Sequence, residues 1–207
     1  MTGKNLRYRN ITVSGLPGAG SSTLAKTLAK TLGWDYFSGG DFMRAYAIEQ
    51  GLFDRNNKLH HDATVYSDDF DRKVDYQTRK SLKEKDHRVI DAWLSGFMAQ
   101  GIPGTLKILV VCSDDPIRVD RLVNRDNISV ADAKKHIFER EQKNLEKWQK
   151  MYAKEWQDWV VKAKPSLANE PIYFWNPELY DLVIDTFTLS KEQTLQKALD
   201  ELGYKEK

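Results

Sequence analysis

The chemistry within reach of this chain is concentrated between Gly15 and Thr23. Gly15, Gly18 and Gly20 stand in the run G-L-P-G-A-G, with Ala19 between the last two, and Ser21, Ser22 and Thr23 follow at once. Glycines at that density suit a tight turn and neither a helix nor a strand. A turn that opens directly into a helix points main-chain N–H groups at one spot and sets hydroxyls beside them. The ligand suited to that arrangement is an oxyanion, phosphate above all.

The flanking residues supply the elements that hold such a turn. Ile11, Thr12 and Val13 read as a short buried strand. From Ser22 onward, Leu24, Leu28 and Leu32, with Ala25 and Ala29 beside them, repeat at helical spacing. Together these pieces match the spacing of a phosphate-binding P-loop, G-x-x-x-x-G-K-[ST], with Ser22 in the hydroxyl position that touches Mg²⁺. The lysine position is Ser21. A lysine there bridges the donor phosphates as a point charge. At ~4 Å and an effective dielectric near 20 that contact is worth about 4 kcal/mol before desolvation, on the order of a thousandfold in rate. Lys26 lies more than a helical turn further on and is expected to point down the helix. A purely structural strand-to-helix turn is the alternative reading.

The 207 residues fit one α/β domain with a substantial core. Charged residues make up 30%, yet the formal net charge is only +2, which argues against nucleic-acid binding driven by bulk charge. Cys112 is the only cysteine, so no intrachain disulfide forms and a reducing compartment is expected. The polar, basic start lacks the apolar core of a signal peptide, and no apolar run reaches membrane-spanning length. The expectation is a soluble, cytoplasmic protein. Further strands are expected at 34–38, 88–93, 105–112 and 180–186, alternating with helices, which predicts a parallel sheet covered on both faces. Asp41 is expected to cap a helix beginning at Phe42, Ser129 to cap another, and 130–161 to form one long helix or two with a kink.

In this order, the blocks I-T-V-S-G-L-P-G-A-G-S-S-T-L-A-K, F-S-G-G-D-F-M-R, V-I-D-A-W-L-S-G-F-M, R-V-D-R-L-V-N-R-D-N-I-S and Y-D-L-V-I-D-T resemble the cytidylate kinase-like branch of the nucleoside monophosphate kinases. The resemblance implies a P-loop NTPase three-layer fold with a five-stranded parallel sheet. It further implies an acceptor-binding flap at 41–85 and a lid at 124–147. The implied reaction is transfer of the ATP γ-phosphate to CMP or dCMP, with Mg²⁺. Gly15, Gly18, Ala19, Gly20, Ser21, Ser22 and Thr23 would hold the donor phosphates, with Ser22 near the metal. Arg121 would cover the donor base. Arg125 and Arg140 would serve the transferring phosphoryl group, and Asp91 would contact substrate or a water on Mg²⁺. Ser38, Arg44 and Arg79 would bind the acceptor, with Asp71 and Asp75 reading its base.

Besides Ser21, the chain departs from the family where Asp91-Ala92-Trp93 replaces an acid-glycine-arginine run and Lys147-Trp148 an arginine-tyrosine pair. The segment 148–178 carries four of the six tryptophans. It reads as an enlarged core in a monomer, with a homodimer surface as the alternative. These departures leave two further functions open: a nucleotide-binding sensor or scaffold with weakened catalysis, and a kinase of another small phosphate acceptor.

Overall fold

The computed structural model describes residues 6–52 and 62–205; residues 53–61 of the expected flap and the first residues of the chain lie outside them. Five strands form one parallel sheet: β1 (Asn10–Gly15), β2 (Asp35–Ser38), β3 (Arg88–Asp91), β4 (Thr105–Val111) and β5 (Leu182–Asp185), in the order β2-β3-β1-β4-β5. The crossover from β1 past β3 to β2 makes β1 central. All six of its residues are buried, as expected of a parallel strand covered on both faces. Register places Val13 beside Asp91 and Gly15 beside Val110. The C-terminal ends of β1 and β3 therefore open on the same side of the sheet, where ligands bind in open α/β sheets.

Helix α1 (Ser21–Leu32) follows β1 and ends on Gly33, whose φ of 65° gives it the left-handed cap expected of glycine. Next come α2 (Gly39–Glu49), α3 (Asp68–Glu84), α4 (Ser95–Met98) and α5 (Asp115–Asp126). The 130–161 stretch divides into α6 (Val130–Lys134), a π turn, α7 (Arg140–Met151), α8 (Ala153–Trp156) and a second π turn. Tyr152, with φ −111° and ψ 19°, separates α7 from α8. The last helix, α9 (Lys191–Leu202), opens with a capping box between Ser190 and Gln193.

One expected cap moves. Ser38, not Asp41, caps α2, and its hydroxyl accepts the Asp41 N–H at 3.1 Å. The helix thus begins at Gly39, and Asp41 falls in its first turn, where an acid suits the helix dipole. Ser129 caps α6 as expected, accepting the Asp132 N–H at 3.1 Å.

Two cores sandwich the sheet. On one face Leu24, Leu28 and Leu202 pack against Ile11, Val13, Ile108 and Val110. On the other, Leu109, which alternates to the opposite side of β4, meets Phe97, Tyr152, Trp156 and Phe174. Trp148, Trp156 and Trp175 are buried in this second core. The aromatic stripe therefore faces inward, which removes the feature that suggested a dimer surface. Among the described residues no helix is long and apolar enough to cross a membrane.

Candidate active site

A cleft of about 1310 Å³ lies over the C-terminal ends of β1 and β3. One wall is the glycine turn. Gly18 and Gly20 have φ of 80° and 100°, conformations that an L side chain adopts only under strain. A Cβ on Gly18 would come within 2.7 Å of the Arg118 carbonyl. Three successive carbonyls of the turn are held by side chains from α5 and the loop after β5. Arg118 Nε donates to Pro17 O at 3.2 Å, Arg121 Nη1 to Gly18 O at 3.1 Å, and Thr186 Oγ1 to Ala19 O at 2.7 Å. These bonds fix the peptide planes of the turn. Gly20 gives α1 no side-chain cap, and its first turn carries no acid. Its leading N–H groups, with the exposed Ser22 and Thr23, are available to an anion at the dipole's positive end.

Asp91 ends β3 beside this turn, 6% exposed. Burial raises its pKa above the usual carboxylate range, against bonds from the Ser22 and Tyr36 hydroxyls. Tyr36 Oη donates to Oδ2 at 3.1 Å. A hydroxyl and a carboxylate side by side are hard oxygen donors, and they fit Mg²⁺. Among the described residues no cluster of three His, Cys, Asp or Glu could cage a metal. That suits an ion held chiefly by substrate phosphates and water. Lys26 differs from expectation. It lines the cleft, with Nζ 5.8 Å from the Tyr36 ring centroid, and its charge reaches Asp91.

The cations come from three helices. Arg44 lines the cleft from α2, Arg125 from the end of α5 and Arg140 from the start of α7. Burial lowers the Arg140 pKa to about 10, and the charges of Arg125 and Arg44 push the same way. The Arg125 fork meets both oxygens of Asp126 at 2.7 Å. The guanidinium is exposed while Asp126 is largely covered, which leaves the solvent-facing side of Arg125 open to a ligand. Arg121 lines the cleft too, but its guanidinium also braces the loop after β5 through Thr186 O at 2.9 Å. Ser38 lines the cleft while capping α2.

Arg79 is placed elsewhere. Its Nη1 donates to Met98 O and Gln100 O at 2.5 and 2.9 Å, and its Cζ lies 3.9 Å from the Trp159 ring centroid. It locks α3 to the turn after α4 and is not among the residues lining the cleft. The expected acceptor contact is corrected accordingly.

Asp71, Val74, Asp75 and Thr78 follow one another along the face of α3 that lines the cleft. Asp71 Oδ2 accepts from Lys147 Nζ at 2.8 Å, and the Trp148 side chain also favours its charged form. Asp75 Oδ2 accepts from the Tyr152 hydroxyl at 2.6 Å, and burial lifts its pKa to about 7. Across the cleft stand Trp93, Trp148 and Asn144. Asn144 and Lys147 were missed as site residues. Asn144 Oδ1 accepts the Ala63 N–H at 2.6 Å, and Lys147 Nζ donates to Ala63 O and Tyr66 O at 2.8 Å each. They tie the segment before α3 to α7. Their 3.6-residue relation to Arg140 on one helix was the available signal.

The cytidylate kinase-like family model matches residues 10–188. The cytidylate kinase of Haloarcula marismortui is 36% identical over 69% of this chain and 71% of its own length. That of Methanopyrus kandleri is 29% identical over 93% of each. Among solved structures, a gluconokinase from Sinorhizobium meliloti superposes with a TM-score of 0.54 at 11% identity, covering 96% of this chain and 94% of its own, a likeness of fold alone. With a parallel sheet in P-loop order, a glycine turn at its centre and cations facing that turn, the chain belongs to the cytidylate kinase-like family.

Proposed function

We propose that this protein transfers the γ-phosphoryl group of ATP to CMP or dCMP. The observation that carries the reading is the convergence of Arg44, Arg125 and Arg140 on one cleft, close enough that the first two depress the pKa of the third. Like charges held together in a folded protein fit a site built for an anion richer in charge than any single side chain. A donor triphosphate and an acceptor monophosphate are such a load. Names of the relatives support the cytidylate acceptor.

The chemistry asks little covalent help of the protein. An oxygen of the acceptor monophosphate, already anionic, attacks the γ-phosphorus. The bond to the β-bridging oxygen breaks in line, and ADP departs with its electron pair. The turn from Gly15 to Thr23 would hold the donor's β-phosphate. Arg44 would anchor the acceptor phosphate, and Arg125 and Arg140 would face the equatorial oxygens where charge spreads. Ser22 and Asp91 would hold Mg²⁺, which would supply neutralisation of phosphate charge. Asp71 and Asp75 would accept from, or donate to, the base edge.

The test is ADP release from Mg-ATP across a panel of nucleoside monophosphates, nucleosides and small hydroxyl acceptors. CMP or dCMP should stimulate it most; stimulation by a non-nucleotide alone would move the acceptor assignment. Ser21 favours a second reading, a nucleotide-binding scaffold. That reading predicts binding by calorimetry with negligible turnover.

A further inference from the structure

Trp93 follows β3 by two residues and lines the cleft. Its ring is clamped. Trp148 and Trp175 meet it edge-on with centroids 5.7 Å away and interplanar angles of 79° and 77°. Its carbonyl accepts from Trp175 Nε1 at 2.9 Å. On the face of this fixed indole lies Arg140, its Cζ 4.8 Å from the ring centroid. The Arg140 Nε is buried without a hydrogen-bond partner.

We infer that Trp93 is a positioning residue, whose indole face holds the Arg140 guanidinium in the cleft. The inference rests on the phosphoryl-transfer reading of the site. The physical case is one of choice of partner. A carboxylate placed against Arg140 would fix it by neutralising its charge and taking its in-plane N–H groups. An aromatic face attracts the cation through the ring quadrupole and occupies only the flat side of the guanidinium. The N–H edge and the full charge stay available for phosphate oxygens. Arg125 and Arg44 repel Arg140 while Asp62 and Tyr66 attract it, so these opposed long-range charges leave its direction to the ring face it touches. Trp148 and Trp175 thereby gain a task beyond filling the core: they hold the ring that holds the cation.

The test is steady-state kinetics on Trp93→Phe, Trp93→Leu, Arg140→Ala and the Leu/Ala double variant, with circular dichroism to confirm folding. Trp93→Leu should lower kcat/KM for the acceptor about 5–30-fold, while Trp93→Phe, which keeps a ring face, stays within about threefold. In the Arg140→Ala background the leucine should cost less than about twofold, because the cation it served is gone. Equal losses from Trp93→Leu in both backgrounds, or equal effects of Phe and Leu, would make Trp93 a packing residue and overturn the inference. Should the leucine variant not fold, Arg140→Lys decides. It keeps the charge without the flat face and should lose about tenfold; activity within about threefold of wild type overturns the inference. A wild-type protein inactive towards every phosphate acceptor would instead overturn the reaction reading itself.

Discussion

Asp75 keeps one carboxylate oxygen on the Tyr152 hydroxyl, while the nearby Lys147 spends its hydrogen bonds on Asp71, Ala63 and Tyr66. Burial therefore goes largely uncompensated, and the folded-state pKa rises to about 7. A carboxyl with a raised folded pKa binds its proton more tightly in the native state than in the unfolded chain, where the value is about 4. Its stability contribution is highest in acid and falls as pH rises from about 4 to about 7. Asp75→Asn should thus raise the melting temperature by a few degrees at pH 8, with the gain shrinking towards pH 4. A gain independent of pH would contradict this. Arg44→Ala should raise the acceptor KM about tenfold or more with smaller loss of kcat and folding intact, as expected for a charge-assisted phosphate contact. Unchanged kinetics would place the acceptor phosphate elsewhere. Arg79 shows why single residues were the least legible part of the sequence. Its partners are the carbonyls of Met98 and Gln100, and no residue type announces a backbone acceptor.

The turn between β1 and α1 was legible because three constraints coincide there: buried strand residues, glycines at positive φ, and helical spacing of leucines. Gly18 tests it. Alanine there meets both φ 80° and a backbone oxygen at 2.7 Å that has no room to yield. Gly18→Ala should cost about 1–3 kcal/mol of stability and abolish nucleotide retention in calorimetry. Ser190→Ala serves as the contrasting change. It removes the α9 capping box at a cost of about 1 kcal/mol and should leave the acceptor KM unaltered. Elements set by tertiary packing were less legible. Asp41 is the expected cap of α2, but Ser38, three residues earlier and equally able to accept an N–H, takes the position. The break at Tyr152 and the second π turn lie in the aromatic core, whereas the first π turn packs Ile137 against Val119, Leu122 and Ala133; helical periodicity encodes neither departure.

The two cores assign different tasks to the two sides of the molecule. The α1/α9 side is aliphatic and anchors the nucleotide-binding turn. The aromatic side carries α7 and α8, and these are joined to α3 by Lys147–Asp71 from α7, Tyr152–Asp75 at the break and Arg72–Glu155 from α8. The cleft-lining helix α3 is thus tied to the far end of the helix that begins at Arg140. Since Trp148, Trp156 and Trp175 lie inside that core, light scattering after size exclusion should give the mass of a single chain; twice that mass would require an interface built from other residues. The most direct measurement is product analysis by chromatography after incubating the protein with Mg-ATP and CMP. The account predicts CDP and ADP accumulating in equal amounts. ATP left intact, or ADP appearing with free phosphate and no CDP, would contradict it.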